Sequence, residues 1–201
     1  MNVGMWISRV LQIVLIGLFV STVLHGDYLA SGSALVAVIL SFLPAIVQKN
    51  ADITMPWIAE FFVTLALVLH VAGFVYGLYN HFAWWDTLTH LTGSAVIGML
   101  GFFVVFSFYK TGKIHISYTM AGVFIFLATV AMGGLWEIAE FTLDQTTGAG
   151  MQVDNADTNV DLIFDTIAGL IVAIIGALYM YRSPESKVEK NIERLLARLE
   201  R

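Results

Sequence analysis

Six long apolar runs divide this chain, and they constrain its fold more than any other feature. They cover about residues 5–24, 33–47, 56–79, 86–109, 116–143 and 157–181. A helix needs roughly 20 mainly apolar residues to cross a bilayer core of about 30 Å, and the mean hydropathy of +0.81 suits such a chain. We therefore predict an all-α, polytopic membrane protein. We expect residues 1–182 to form one domain of six transmembrane helices, which the lipid bilayer surrounds.

The basic residues predict which side of the membrane each connection faces. All ten Lys and Arg fall near the N-terminus, in the second and fourth connections, or in the tail, and the first, third and fifth connections contain none. By the positive-inside rule, both termini are cytoplasmic and the three connections without basic residues face outward. This distribution predicts a multi-pass protein of the cell membrane, that is, of the cytoplasmic (inner) membrane.

The tail, residues 183–201, is predicted to be a separate cytoplasmic segment. Val188, Ile192, Leu195 and Leu199 form one apolar stripe on an otherwise charged helix. This pattern favours an amphipathic helix on the inner leaflet. The alternative is a short coiled-coil seam between protomers of a homo-oligomer.

Composition excludes several classes of function. The chain has no Cys, which removes disulfides, thiolate metal sites and cysteine nucleophiles. Its net charge of -5 divides into a basic tail and acidic outer connections, so a nucleic-acid partner is not expected. The sequence also lacks a P-loop and a dinucleotide-binding fingerprint.

Six ionisable residues are predicted to lie near the outer membrane boundary. At 1.5 Å per residue, three of them lie about 30 Å from the inner ends of their helices, and Asp165 lies about one turn deeper. They form pairs three or four residues apart, each pair on one helix face. The pairs are Asp86 with His90, Glu137 with Glu140, and Asp161 with Asp165.

Five carboxylates and one imidazole in one pocket need protons, mutual hydrogen bonds or a cation, because no Lys or Arg shares that side. Carboxylate pairs from different helices are also how helix bundles build metal centres. We therefore predict a divalent metal site with these six residues as ligands. The carboxylates suit Mg, Ca or Mn, and an imidazole ligand from His90 makes the site compatible with Zn or Fe as well. The alternative is a purely structural network, in which Asp86 and Asp157 serve as N-caps.

Three ordered motifs resemble a known family. They are Asp86-Thr-Leu-Thr-His90 with Gly93, Trp136-Glu-Ile-Ala-Glu140, and Asp157-Thr-x-x-Asp161-x-x-x-Asp165-x-x-x-Gly169. Together they resemble the YjdF-like family of bacterial and archaeal integral membrane proteins and, more distantly, the VanZ-like family linked to glycopeptide resistance. The resemblance covers about residues 84–173 and implies a topology and a motif, but no reaction. This chain is more acidic at Glu140 and Asp165 than VanZ-like proteins, which favours a cation site.

Three classes of function fit these predictions. The first is a metal-dependent enzyme or lipid-handling protein, which would act on a lipid-linked or small-molecule substrate of the outer leaflet. The second is a cation- or proton-coupled transporter. His70 of the third helix would extend such a path inward, although its position in the middle of an apolar helix favours a hydrogen-bonded core histidine. The third is a structural or assembly subunit that a bound ion stabilises.

Overall fold

A computed structural model describes residues 3–46 and 57–183, with side chains from residue 6 onward. Six helices in this part of the chain are long and apolar enough to cross a membrane. They are α1 (Val3–His25), α2 (Tyr28–Ser41, continuing after Phe42 to Ile46), α3 (Trp57–Val75), α4 (Trp85–Thr111), α5 (Tyr118–Thr147) and α6 (Asn155–Arg182). The all-α, six-span prediction is therefore confirmed.

Side-chain caps and glycines set several of the helix ends. Asp27 caps α2 by accepting from Ala30 N at 3.0 Å, and Ser117 caps α5. A side-chain acceptor at these positions satisfies one of the backbone N–H groups that a helix start leaves unpaired. At the other end of α5, Gly148 has φ of 69°, a left-handed conformation that glycine adopts without steric cost.

The helices form two groups of three. Helices α1, α2 and α3 contact one another, as do α4, α5 and α6, and α3 joins the groups by packing on α4. Within the second group, small residues allow close approach. Thr129 of α5 lies against Gly98 of α4 and Gly169 of α6, and Gly122 lies against the backbone of Ala173. Such contacts are typical of helix packing in membranes.

Helix α6 turns its polar face inward and its apolar face outward. Asp161, Asp165 and Gly169 are buried, whereas Ile163 and Leu170 are more than half exposed. In a bilayer this arrangement hides the carboxylates from lipid, where a charge is costly. We call the end of α4–α6 that carries these carboxylates the acidic end.

The opposite ends of α4–α6 are basic and closed by apolar packing. Val105, Tyr109, Ala121 and Met180 form a buried cluster there, beside the basic residue Lys110. Because this end carries the basic residues, it is the one that the positive-inside rule assigns to the cytoplasm.

Several predicted boundaries differ from the structure. Helix α2 begins at Tyr28 rather than near residue 33, and helix α5 ends at Thr147 rather than near residue 143. Helix α3 ends at Val75 rather than near residue 79, and the short helix Leu78–His81 follows it. Helix α6 begins at Asn155, two residues before the predicted start. The predicted tail helix, in residues 185–201, lies outside the described residues, so its amphipathic character stays a prediction.

Candidate metal centre

The structure brings all six predicted site residues together around the imidazole ring of His90. The ring projects from α4 at the acidic end, and its side chain is 5% exposed. Its Nε2 atom lies 3.5 Å from Glu137 Oε1, 3.7 Å from Asp86 Oδ1 and 4.0 Å from Asp161 Oδ2. Helices α4, α5 and α6 therefore each place a carboxylate oxygen beside the same nitrogen atom.

The other ring nitrogen of His90 faces a different carboxylate. Nδ1 lies 3.3 Å from both oxygens of Asp165, and Ser94 Oγ donates to Asp165 Oδ1 at 2.7 Å. Asp165 therefore fixes the orientation of the ring. A carboxylate on the N–H of a metal-binding histidine is a usual feature of metal sites, because it selects the tautomer whose other nitrogen is free.

Two atoms at the centre of this group have no hydrogen-bond partner. They are His90 Nε2 and Glu137 Oε1, and both are fully buried. An unsatisfied buried polar atom costs about 1–3 kcal/mol, so an empty centre is unfavourable. Two ligand atoms at about 2.1 Å from one tetrahedral ion lie roughly 3.4 Å apart, which is close to the 3.5 Å that separates these two atoms.

The same geometry defines two overlapping groups of potential ligands. In each group, one ligand atom per residue lies within 4.8 Å of the others. The first group contains Asp86, His90 and Asp161, and the second contains His90, Glu137 and Glu140. Glu140 also accepts a hydrogen bond from Trp136 Nε1 at 2.8 Å, which leaves its second oxygen available. His90 is the residue that the two groups share.

The loop after α5 holds Glu137 in place. Asp144 accepts from the backbone N–H groups of Met151 at 2.7 Å and Gln152 at 2.9 Å, so the chain folds back over the end of α5. The Gln152 amide then donates to Glu137 Oε2 and to the Glu137 carbonyl oxygen, each at 3.1 Å. Because Oε2 is engaged in this way, Oε1 is left facing His90.

A close approach of α5 to α6 admits Asp165. At Gly133 a Cβ atom would overlap Asp165, with Cγ at 2.8 Å, Cβ at 3.0 Å and Oδ2 closer still. At the neighbouring Gly134 a Cβ atom would meet nothing within 4 Å. Gly133 is therefore part of the site, since any larger residue displaces the carboxylate that orients His90.

The two predicted N-cap roles are wrong. Asp154 caps α6, accepting from Ala156 N at 2.7 Å and Asp157 N at 3.0 Å, and Asp157 instead accepts from Val153 N in the preceding loop. The N-cap of α4 is Trp84, without a side-chain hydrogen bond. Asp86 lies inside the first turn, so capping does not account for its carboxylate.

Four residues that support the site were not predicted from the sequence: Ser94, Gly133, Asp144 and Gln152. Ser94 continues the α4 stripe of Asp86 and His90 at the next i+4 position, so helical spacing alone could have found it. In the sequence, Gly133 is distinguished only as part of the pair Gly133-Gly134, which favours close helix packing. Nothing in the local pattern pointed to Gln152, because a loop has no periodicity from which to infer its path.

His70 has ordinary partners next to the site. Its Nδ1 lies 2.9 Å from the Tyr79 hydroxyl, and its ring contacts the ring of Trp136 with centroids 5.0 Å apart. Tyr79 also reaches Thr89 Oγ1 at 3.4 Å. Burial raises the pKa of Tyr79, so the phenol keeps its proton. His70 therefore fits the interpretation of a hydrogen-bonded core histidine.

Six spanning helices around a buried cluster of carboxylates and one histidine define a multi-pass membrane protein with groups able to hold a metal ion. The chain belongs to the family described as "Predicted membrane protein (DUF2238)", whose model matches residues 7–182. This is the YjdF-like family, so the resemblance noted above is confirmed. The chain is also similar to a Thermotoga maritima protein described as an uncharacterized protein. The two are 31% identical over 140 residues, which is 67% of this chain and 69% of the relative. No solved structure matches the chain.

Proposed function

We propose that this protein binds one divalent metal ion at the acidic end of α4–α6 and uses it as a metal-dependent enzyme of the cell membrane. The observation that carries the proposal is the pair of buried atoms without partners, His90 Nε2 and Glu137 Oε1, which face each other at 3.5 Å. Each atom is an electron-pair donor whose side chain is held by a contact at its other polar atom. Asp165 contacts His90 Nδ1, and Gln152 donates to Glu137 Oε2. A cation bound between them would satisfy both lone pairs at once.

The proposed ligands are His90 Nε2 and one oxygen each from Glu137 and Glu140, because ligand atoms of these three residues lie within 4.8 Å of one another. Asp165 then acts as a positioning residue through the ring. Asp86 and Asp161, which form the other group with His90, would supply further oxygens by moving toward the ion. One imidazole nitrogen with several carboxylate oxygens suits Zn or Mn better than Mg or Ca, which prefer oxygen alone. Four carboxylates, when ionised, carry more negative charge than one divalent ion neutralises, which favours tight binding of the ion. They are Asp86, Glu137, Glu140 and Asp161.

Location favours an enzyme or lipid-handling protein over a transporter. The positive-inside rule puts the acidic end at the outer membrane surface, where a lipid or lipid-linked substrate of the outer leaflet reaches the ion. A metal in such a site polarises a substrate oxygen or activates water. In the described residues, the apolar cluster of Val105, Tyr109 and Met180 closes the inner half of α4–α6, which disfavours an ion path across the membrane.

Metal analysis of detergent-purified protein tests the proposal. After loading with Zn or Mn and removal of free metal, wild-type protein should retain one ion per chain. Glu137→Gln keeps the shape of the side chain but removes its charge, and it should bind at least tenfold more weakly. Asp157→Asn is the matched control, because Asp157 lies at the same end but bonds the loop backbone, and it should retain the ion. Equal metal retention by wild type and Glu137→Gln would remove the proposed centre.

A further inference from the structure

A cavity of about 270 Å³ lies between the two helix groups and ends at the acidic cluster. Apolar side chains from three helices line its inner part, including Leu43 of α2, Leu67 of α3 and Leu100 of α4. Polar side chains line the other end, including Asp86, His90 and Ser94. The polarity of the cavity lining therefore changes along its length, from an apolar end inside the membrane to a polar end at the proposed metal ion.

We propose that this cavity binds the apolar chain of a single-chain amphiphile, whose uncharged, oxygen-bearing head reaches the metal site. This assignment rests on the proposed function, for which it specifies the class of substrate. It follows from three properties of the cavity: its size, the charge at its polar end and its access from the bilayer.

Size limits the occupant to one chain. Leu100 lies ten residues inward of His90 on the same helix, which is about 15 Å at 1.5 Å per residue. The cavity volume of about 270 Å³ lies just below the usual range of roughly 300–1,000 Å³ for small-molecule sites. A hydrocarbon chain of medium length fits these dimensions, and a lipid with two long chains does not.

Charge at the polar end excludes an anionic head. The cluster contains five carboxylates, whereas the described basic residues are at the opposite ends of α4–α6 or on α1: Arg9, Lys110, Lys113 and Arg182. One divalent ion offsets only part of that negative charge. A phosphate head would meet like charges without the Lys or Arg that phosphate sites normally provide. An ester or hydroxyl head offers an oxygen to the metal and carries no charge to repel.

A route from the bilayer reaches the cavity between α2 and α4. Both helices line the cavity, through Leu40 and Leu100 respectively, yet the backbones of Tyr28–Ser41 and Trp85–Thr111 do not contact each other. An amphiphile can therefore enter sideways from the membrane with its head near the surface. This entry keeps the chain in an apolar environment throughout, which avoids exposing it to water.

Native mass spectrometry tests the assignment, because it resolves bound metal and bound amphiphile on the same molecule. The probes are monolauroylglycerol and dodecyl phosphate, which share a chain length but differ in the charge of the head. Zn-loaded wild-type protein should carry one monolauroylglycerol and bind dodecyl phosphate at least tenfold more weakly. Equal or tighter binding of dodecyl phosphate would overturn the proposal for the head group.

Two glycines on α4 provide a matched pair of variants. A Cβ at Gly93 or at Gly101 would meet nothing within 4 Å, so both positions accept a side chain, but of the two only Gly93 lines the cavity. Gly93→Leu should fill the cavity and lower monolauroylglycerol binding at least tenfold, while Gly101→Leu keeps it. Both variants should still carry the metal.

Each result is decisive for one of the two proposals. Unchanged amphiphile binding by Gly93→Leu, or an equal loss in Gly101→Leu, overturns the cavity assignment even when the metal is bound. Absence of metal from wild-type protein contradicts the proposed function alone. In that case, an amphiphile adduct that Gly93→Leu removes would still support the cavity as its binding site.

Discussion

Replacing Gly133 with Ala should disrupt the metal centre without touching any proposed ligand. The added Cβ would lie 2.8 Å from Asp165 Cγ and 3.0 Å from Asp165 Cβ, whereas carbon atoms pack at about 3.5–4.0 Å. Asp165 must therefore retreat by about 0.7 Å or more. That shift breaks or lengthens its contacts with His90 Nδ1 at 3.3 Å and Ser94 Oγ at 2.7 Å.

The expected effects have two parts. Overpacking of a tight contact costs about 1–3 kcal/mol of folding stability. Loss of the carboxylate that orients a metal-binding histidine lowers metal affinity by about 10–100-fold, because the ring is no longer held with Nε2 toward the centre. Gly133→Ala should thus bind Zn about 10–100-fold more weakly while the apo protein stays folded but melts at a lower temperature.

Gly134→Ala is the control, since its Cβ enters open space. Alanine is favoured over glycine inside a helix by up to about 1 kcal/mol, so this variant should keep wild-type metal affinity and melt at or above the wild-type temperature. Zn affinity is measured by competition with a chromophoric chelator, and stability by thermal unfolding of metal-free protein in detergent. Wild-type Zn affinity in Gly133→Ala would refute the positioning role of Asp165.

Three further predictions follow from the same geometry. Asp165→Asn should stay folded but bind Zn about 10–100-fold more weakly, because Asn cannot accept from His90 and Ser94 as a carboxylate does; unchanged affinity would contradict this. Gln152→Ala should weaken Zn binding, because Glu137 loses the hydrogen bonds that hold it. Gln145→Ala, on the exposed face of α5, should not. Equal Zn affinities of the two variants would contradict the role of the loop. His81→Cys, in an outward-facing connection, should react with an impermeant thiol reagent added to intact cells, and Thr111→Cys, at the cytoplasmic end of α4, should not. The assay is unambiguous because the chain has no Cys of its own and both positions are exposed. The opposite labelling pattern would invert the topology.

The sequence predicted the helices and the composition of the acidic end because both depend on local periodicity. Apolar runs define the six spans, and i, i+3 or i, i+4 spacing defines the shared face of each acidic or histidine pair. Asp165 was predicted to lie one turn deeper than the rest, and it contacts the opposite nitrogen of the His90 ring. Spacing could not distinguish a ligand from a positioning residue, because that difference depends on the rotation of one imidazole ring.

Features that depend on the path of the chain between helices escaped prediction. Two aspartates near the start of α6 are equally good caps by residue type, and the chain uses Asp154 rather than Asp157. Gln152 reaches Glu137 only because Asp144 folds the loop back, and no pattern in the loop sequence encodes that contact. Tertiary packing of the loop decided both outcomes.

X-ray absorption spectroscopy at the metal edge tests the proposed centre most directly. Zn-loaded wild-type protein should show nitrogen and oxygen ligands at about 2.0–2.2 Å, with the scattering signature of one imidazole ring. His90→Gln should lose that signature, because His90 is the histidine whose Nε2 faces the carboxylates. A wild-type spectrum that matches hydrated Zn, or that His90→Gln leaves unchanged, would contradict a metal centre built on His90.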